Sequence, residues 1–406
     1  MPTAKSPEAE RFEAYLERLS LAVGHADRRE PLRAYLTGLL LPGERKSVEP
    51  MAAKLDPLRV RARHQSMHHF VATAPWSELE LLRVARDYAL SVFERHAPIG
   101  AWVIDDTGIP KKGSHSVGVS HQYCGVLGKS ANCQVAVTVS LVNALMSVPA
   151  GFRLYLPEGW AQDPRRRQVA GVPAEVKFQT KGALALAQID ELLSEEVPLA
   201  PVVADAGYGA STQFREALTE RGLSYAVGIL PDTSLWVAGD EQQPVLARDL
   251  AQGLPRRAWE TVSWREGTKG MMRSRFALMR VRVAHRDRHQ SRAPEWLLVE
   301  WPSGEREPSR YWLSTVPEDA MLEDLVRLAK IRWRIEHDFQ ELKDELGLDH
   351  YEGRGWRGFH HHGALCIAAY AFLAAERARL SPPAPLAFLL SARLPKDFRP
   401  RGSQAS

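Results

Sequence analysis

The stretch Ala101-Trp102-Val103-Ile104-Asp105-Asp106 decides the fold, because the sequence changes there from a helical to a strand pattern. Before it, apolar residues recur every three or four positions, as between Leu79 and Leu90, and this spacing predicts amphipathic helices. The stretch itself is a short apolar run that ends in acid, which is typical of a buried strand in an α/β protein. We therefore predict helices in residues 1–96 and a sheet that begins at residue 101.

The elements downstream alternate in a recognisable order. The predicted order is strands at 101–105, 116–124 and 133–142, a helix at 182–193, a strand at 201–205, a helix at 212–221 and a strand at 224–229, with 152–156 as a further candidate strand. Consecutive strands make hairpins, and the later alternation makes crossovers. This is the element order of an RNase H-like α/β domain.

The remaining segments complete a predicted domain organisation. Short alternating stretches and several tryptophans predict a β-rich insertion, one long helix is predicted at residues 321–346, and a tail rich in Pro, Arg and Ser follows. The predicted regions are an N-terminal helical region at 1–96, an RNase H-like domain at 97–230 and 312–380, the insertion at 231–311, and a flexible basic tail at 381–406.

Composition excludes several classes of protein. Hydrophobic residues make up 45% and charged residues 25% of the 406 residues, which argues against a disordered, collagen-like or coiled-coil chain. The longest apolar run, residues 363–375, is too short to span a bilayer. No secretory signal is visible, and three cysteines are too few for a disulfide framework. We expect a cytoplasmic protein that does not contact membranes.

Positive charge is concentrated in one segment. Residues 256–292 contain ten Arg and one Lys but only three acidic residues, whereas the whole chain has a net charge of +4. This block, with Arg273 and Arg275, indicates a polyanionic partner, although a solvated surface explains it equally well. Arg165 and Arg166 are further candidate phosphate contacts, with an exposed loop as the alternative.

Three acids lie where the predicted topology would gather them. Asp105 ends the first strand, Asp205 ends the fourth, and Glu336 lies on the helix after the fifth. Functional groups of an open α/β sheet cluster at strand ends, and converging carboxylates repel unless cations neutralise them. Hard oxygen ligands suit two Mg²⁺ or Mn²⁺ ions, which can activate water at a phosphodiester. Asp106 remains the alternative to Asp105, since neighbouring strand residues face opposite ways.

The helix around Glu336 supports a phosphate site. At 100° per residue, Arg332, Glu336 and Lys343 form one polar strip beside the core stripe. An acid flanked by two cations suits metal and phosphate binding, with Arg332 and Lys343 as DNA contacts. A surface ion pair between Arg332 and Glu336 is the alternative. For the histidines at 360–362, a polar helix start near DNA or solvent is favoured over a metal site.

The motifs resemble bacterial insertion-sequence transposases of the DDE class, in the branch with a Tyr-x2-Arg-x3-Glu-x6-Lys signature. Arg332, Glu336 and Lys343 match that spacing, whereas Ala329 stands at the tyrosine position. The segments at 104–113, 116–123, 128–134 and 204–209 are similar to the family's first-acid segment, its next strands and its second-acid segment. The resemblance covers residues 60–375.

The resemblance implies an activity and an assembly. Such enzymes hold two divalent ions on the Asp105, Asp205 and Glu336 triad, cut DNA at the ends of their own element and join the 3′-hydroxyl to target DNA. The family implies a homodimer on double-stranded DNA, associated with the nucleoid, with residues 1–96 as a DNA-binding region and residues 97–230 and 312–380 as the catalytic domain. Some relatives pass through a DNA hairpin in which an insertion tryptophan stabilises a flipped base; the candidates are Trp236, Trp259, Trp264, Trp296 and Trp301. A catalytically inactive DNA-binding remnant and a non-transposing RNase H-like nuclease are the alternatives.

Overall fold

The computed structural model describes residues 6–237, 240–267, 270–284 and 293–380. The predicted basic tail at 381–406 lies outside the described residues, as does part of the basic block near residue 290. None of the helices in the described part of the chain is both long and apolar enough to cross a bilayer.

The N-terminal segment folds into helices whose first turns are capped by the local sequence. The Oγ atoms of Ser6 and Ser77 accept hydrogen bonds from the backbone amides of Ala9 and Glu80, which satisfies donors that a helix start leaves unpaired. The helices are α1 (Pro7–Ala22), α2 (Arg29–Leu40), α3 (Val48–Leu55), α4 (Val60–Ala72) and α5 (Glu78–Phe93). They occupy the range predicted to be helical; a separate DNA-binding role for that range stays a prediction.

The rest of the described chain forms a sheet with helices around it. The strands are β1 (Ala101–Pro110), β2 (Ser120–Cys124), β3 (Lys129–Val142), β4 (Ser147–Leu154), β5 (Val202–Ala204), β6 (Tyr225–Ile229), β7 (Ser234–Val237), β8 (Asp240–Leu246), β9 (Glu260–Gly267), β10 (Gly270–Val283), β11 (Glu295–Trp301) and β12 (Arg310–Ser314). The remaining helices are α6 (Glu158–Ala161), α7 (Pro164–Ala170), α8 (Lys181–Ser194), α9 (Ala206–Gly209), α10 (Thr212–Glu220), α11 (Ala247–Gln252), α12 (Leu322–Lys330), α13 (Trp333–Asp344) and α14 (Trp356–Leu380).

The strands pair in the order β2-β3-β1-β5-β6-β12-β11-β10-β7-β8, while β4 joins β3 and β9 joins β10. β1 is antiparallel to β3 but parallel to β5, and β5 is parallel to β6. Two hairpin-like pairings are thus followed by two crossovers through helices, as the element order predicts. The protein is a mixed α/β structure, and the order is consistent with an RNase H-like domain.

The strands of residues 231–311 continue the same sheet. β12 pairs antiparallel with β6, with Trp312 opposite Gly228, and β11 and β10 follow outward from β12. The strand content of this segment agrees with the sequence pattern. Its interpretation as a family insertion stays a prediction, but the hydrogen-bonded continuity means that this segment cannot move independently of β6.

The first strand is longer than predicted. β1 runs on to Pro110, so Asp105 lies within it rather than at its end. The reason is that β3 pairs with β1 along its whole length, whereas the parallel neighbour β5 pairs only with Trp102 and Val103. Asp105 therefore lies just past the end of the parallel neighbour β5, although β1 itself continues.

The histidines at 360–362 lie in the core rather than near solvent, so the favoured interpretation of them was wrong. Each is at most 2% exposed, and α14 packs against α5, α2 and β4. His360 contacts the Trp356 carbonyl and the Leu154 amide, while His362 contacts the Tyr35 hydroxyl and the Gly347 carbonyl. Burial lowers the pKa of all three histidines to about 4.

The lowered pKa values of these histidines predict that the protein loses stability in acid. Their folded pKa lies below the ordinary value of 6.5, so the unfolded chain takes up protons first, and stability present above pH 6.5 is lost as pH falls toward 4. Each histidine contributes up to about 3 kcal/mol to this loss. Thermal unfolding followed by circular dichroism from pH 7.5 to 5 measures it.

His362→Gln is expected to remove about a third of this pH dependence, because one of three equivalent protonation sites is gone. His69→Gln is the control, since His69 is exposed on α4. An equal pH dependence in wild type and His362→Gln would contradict the prediction.

Candidate active site

Asp105 and Asp205 lie side by side because β5 is only three residues long. β5 ends at Ala204, and Asp205 then caps the short helix α9, with its Oδ1 atom accepting a hydrogen bond of 2.9 Å from the Gly207 amide. Asp105 lies two residues beyond Val103, which is the last β1 residue paired with β5. Both carboxylates thus project at the carboxyl end of two adjacent parallel strands, where α/β proteins bind ligands.

Asp105 and Asp106 have different surroundings. The two Asp106 oxygens contact the Lys181 ammonium and the Tyr208 hydroxyl, and these contacts satisfy its charge. Burial raises the pKa of Tyr208, and the negative charge of Asp106 raises it further, so this hydroxyl remains a donor. Asp106 is thus paired with Lys181, whereas Asp105 faces the segment that carries Glu336.

The segment that carries the third acid is two helices rather than the single helix predicted for 321–346. α12 ends at Lys330 and α13 begins at Trp333. The turn between them is formed by hydrogen bonds that the backbone amides of Arg334 and Ile335 donate to the carbonyls of Ile331 and Arg332, respectively. The sequence contains no Pro or Gly at this break, so it gave no signal for it. The turn leaves the Arg332 guanidinium against Asp105 and places Glu336 in the exposed first turn of α13.

The predicted acids line a common cleft with a volume of about 610 Å³. Asp105, Asp205 and Glu336 come from three distant segments, and the cations of the predicted polar strip line the same cleft. The residues brought together are Asp105, Asp106, Lys181, Asp205, Arg332, Glu336 and Lys343. The cleft therefore combines acidic and basic groups in the way expected of a phosphate-handling site.

Arg332 is the central cation of the cleft. Its Nη2 atom lies 2.9 Å from Asp105 Oδ2 and 3.7 Å from Asp205 Oδ2. Burial raises the pKa of Asp105, while the charge of Arg332 opposes that rise. Burial alone would lower the pKa of Arg332, but Asp105 and Asp205 raise it above its ordinary value. Burial lowers the pKa of Lys343.

The donor set suits a divalent ion, although the carboxylates now share a guanidinium. No group of three or more His, Cys, Asp or Glu side chains is arranged to hold a metal ion within residues 6–237, 240–267, 270–284 and 293–380. However, Asp105 and Asp205 both lie against one positively charged nitrogen, so they are already arranged around a cation. Carboxylate oxygens are the ligands that Mg²⁺ and Mn²⁺ prefer, and these residues fit such an ion once Arg332 moves away.

The other predicted DNA contacts lie outside the cleft. Arg165 and Arg273 are exposed, on α7 and β10. Arg166 stacks on Trp160 at 3.7 Å from the ring centre, and Arg275 stacks on Trp301 at 4.0 Å. The structure therefore does not gather these four arginines with the acids.

Sequence reasoning missed a buried ion pair next to the site. Lys330, the last residue of α12, contacts Glu300 of β11, and their side chains are 10% and 3% exposed. The ammonium also lies 4.8 Å from the Trp264 ring centre and 5.3 Å from that of Trp312. Lysine is so seldom buried that the sequence pattern gave no reason to expect this pair.

Lys330 of this pair lines a second cavity next to the acidic cleft. This cavity has a volume of about 420 Å³ and shares Asp205, Arg332 and Glu336 with the acidic cleft. Its other lining includes Trp264 and Trp333. The sequence showed that Trp264 belongs to the predicted insertion, but it did not show that this tryptophan lies close to the acids.

Comparisons with known proteins show the family to which the chain belongs. Residues 18–271, more than half of the chain, match the family model of the DDE superfamily endonucleases, and residues 171–372 match that of the transposase DDE domain. The chain therefore belongs to the DDE superfamily of endonucleases, and the DDE class predicted from the sequence is confirmed.

One curated relative is a probable transposase for insertion sequence element IS701 from Microchaete diplosiphon. It is 39% identical over 166 residues, which cover 41% of this chain and 40% of the relative. The matched part thus spans less than half the length of that protein.

The buried ion pair predicts an asymmetric mutational response. Lys330→Met leaves the buried Glu300 with only a longer contact of 3.9 Å to the exposed Arg310 and is expected to lower the free energy of unfolding by up to about 3–5 kcal/mol, whereas Lys330→Met with Glu300→Gln recovers much of that loss. Urea unfolding measures both. Arg83→Ala is the control, because the Arg83–Glu80 pair is 45% and 51% exposed, and its loss costs below about 1 kcal/mol. A double variant no more stable than Lys330→Met would contradict this account.

Proposed function

We propose that this protein is a DNA transposase that cuts at the ends of its own insertion element and joins the freed 3′-hydroxyl to target DNA. The observation that carries the proposal is the cleft in which Asp105, Asp205 and Glu336, from three distant segments, meet Arg332 and Lys343. Membership of the DDE superfamily supports it, as does the similarity to a probable transposase.

Each charged residue of the cleft has a role in this proposal. Asp105, Asp205 and Glu336 hold two divalent ions, Mg²⁺ or Mn²⁺, which supply an activated water and stabilise the leaving oxygen of the phosphodiester. Arg332 and Lys343 bind phosphate groups and hold the scissile strand in register. Asp106 stays paired with its own partners and keeps β1 fixed against α8 and α9.

The proposed branch is the one with the Tyr-Arg-Glu-Lys signature. Arg332, Glu336 and Lys343 line the same cleft, which supports a shared role for these three residues of the signature. Ala329 stands at the tyrosine position and is 4% exposed in the core. A hydroxyl at that position therefore has no part in the reaction of this chain.

Other features of the proposal concern how DNA is held. The further DNA contacts are Arg165, Arg166, Arg273 and Arg275, of which Arg165, Arg273 and Arg275 are exposed. Trp264 lines the cavity next to the acids, which supports it over the other insertion tryptophans as a stacking partner for a displaced base. The active form is a homodimer on paired element ends, associated with the nucleoid, with the N-terminal helices as a DNA-binding region.

The triad assignment predicts loss of metal-dependent cleavage in Asp205→Asn. The assay uses a DNA duplex that carries the inverted repeat flanking the reading frame, with Mg²⁺ or Mn²⁺. Cleavage is expected to fall by roughly two to three orders of magnitude, because metal ions stabilise such transition states by several kcal/mol. Asp190→Asn is the control, since Asp190 pairs with Arg221 at the surface.

The outcomes separate the alternatives. Full cleavage by Asp205→Asn would refute the triad. Wild-type binding without nicking under any divalent ion would favour the inactive remnant, and cleavage without strand transfer would favour the non-transposing nuclease.

The neighbouring acid provides a second prediction. Asp105→Asn is expected to lose metal-dependent cleavage as Asp205→Asn does, whereas Asp106→Asn is expected to retain it, since Asp106 already has a cation and a hydroxyl as partners. The reverse pattern would make Asp106 the metal ligand.

A further inference from the structure

Arg332 lies between Asp105 and Asp205, the two carboxylates that the proposed function assigns as metal ligands. Each carboxylate gives one oxygen to the backbone and the other to Arg332. Asp105 Oδ1 accepts the Asp106 amide at 2.8 Å, and Asp205 Oδ1 accepts the Gly207 amide at 2.9 Å. Both Oδ2 atoms face the same guanidinium nitrogen. A cation that approaches these carboxylates from the cleft must therefore compete with Arg332.

The guanidinium is incompletely satisfied in this position. Its Nε atom is buried and has no hydrogen-bond partner, although a guanidinium carries five N–H donors. An unpaired buried donor costs free energy, so this contact is weaker than a fully bonded salt bridge. The side chain is 24% exposed and lines both the acidic cleft and the adjoining cavity, so it has an open path away from the acids.

The charges of the cleft favour replacement of Arg332 by a divalent ion over binding of the ion alongside Arg332. Asp105 and Asp205 lie against Arg332, and Glu336 and Lys343 line the same cleft. A divalent ion neutralises the carboxylates better than one guanidinium, but its arrival leaves Arg332 beside a like charge. The displaced guanidinium then needs an anion, and a phosphate group offers it a bidentate partner.

We infer that Arg332 is a placeholder cation which a divalent ion must displace, and that the displaced guanidinium is captured by a DNA phosphate. The inference rests on the proposed function, since it takes Asp105 and Asp205 as metal ligands. Metal and phosphate then strengthen each other's binding, because each favours the same position of Arg332. The site is thereby loaded with metal mainly when DNA is present, which limits stray hydrolysis.

The test measures Mn²⁺ binding to the full-length protein by isothermal titration calorimetry, without DNA. Arg332→Gln removes the competing charge and is expected to bind Mn²⁺ about tenfold or more tightly than wild type, because charge pairs of this kind are strong when partly buried. Arg221→Gln is the matched control: its side chain is 26% exposed and pairs with Asp190 away from the cleft. This variant is expected to bind as wild type does.

A second arm repeats the titration with a short DNA duplex of any sequence. The same titration with Asp205→Asn measures the Mn²⁺ that binds to the DNA itself and is subtracted. The duplex is expected to tighten Mn²⁺ binding in wild type but much less in Arg332→Gln. Arg332→Lys keeps the positive charge but replaces the forked guanidinium with an ammonium on a shorter side chain. Its affinity for Mn²⁺ is expected to lie between those of wild type and Arg332→Gln, so it decides the question if Arg332→Gln does not fold.

The outcomes distinguish this inference from the proposed function. If Asp205→Asn binds Mn²⁺ as wild type does, the carboxylates are not metal ligands, and the proposed function fails with the inference. If Asp205→Asn loses Mn²⁺ but neither Arg332→Gln nor Arg332→Lys binds it more tightly than wild type, the placeholder role alone is overturned.

Discussion

Repulsion between two neighbouring carboxylates, those of the largely buried Asp105 and the partly exposed Asp205, is the constraint on which the rest of this structure depends. The short β5 brings Asp205 beside Asp105, and burial raises the pKa of Asp105 because the charged form has lost water. Such an arrangement persists only where a cation compensates it. Arg332 supplies that charge from the turn between α12 and α13, so the turn, the strand ends and the acids form a single electrostatic unit.

The sheet links this unit to the segment at 231–311. β6 is parallel to β5 on one side and antiparallel to β12 on the other, so a rigid ladder connects the strand before Asp205 with β9, β10 and β11. On the opposite wall, Lys330 attaches the end of α12 to Glu300 of β11. The turn that carries Arg332 is thus held between the acidic strands and the outer strands, and a change in either would move the guanidinium.

The sequence could predict the parts of the site that follow from pattern and spacing. Buried runs that end in acid predicted both β1 and β5, and the spacing of Arg332, Glu336 and Lys343 predicted a common polar strip. It could not predict the turn at residues 331–332, because no Pro or Gly marks it, and tertiary contacts alone select it. The burial of the histidines at 360–362 was missed for a related reason: most of their hydrogen-bond partners, such as Tyr35, Val71 and Leu154, lie far away in the chain.

The anchoring of α13 indicates which part of the site can change. Asp338, two residues after Glu336, accepts hydrogen bonds from the Ser147 hydroxyl of β4 and the Tyr370 hydroxyl of α14, and burial raises its pKa to about 6. The helix that carries Glu336 is therefore fixed on its inner face while its outer face borders the cleft. Because the backbone is held in this way, exchange of one cation for another at the acids requires movement of the Arg332 side chain rather than of the helix.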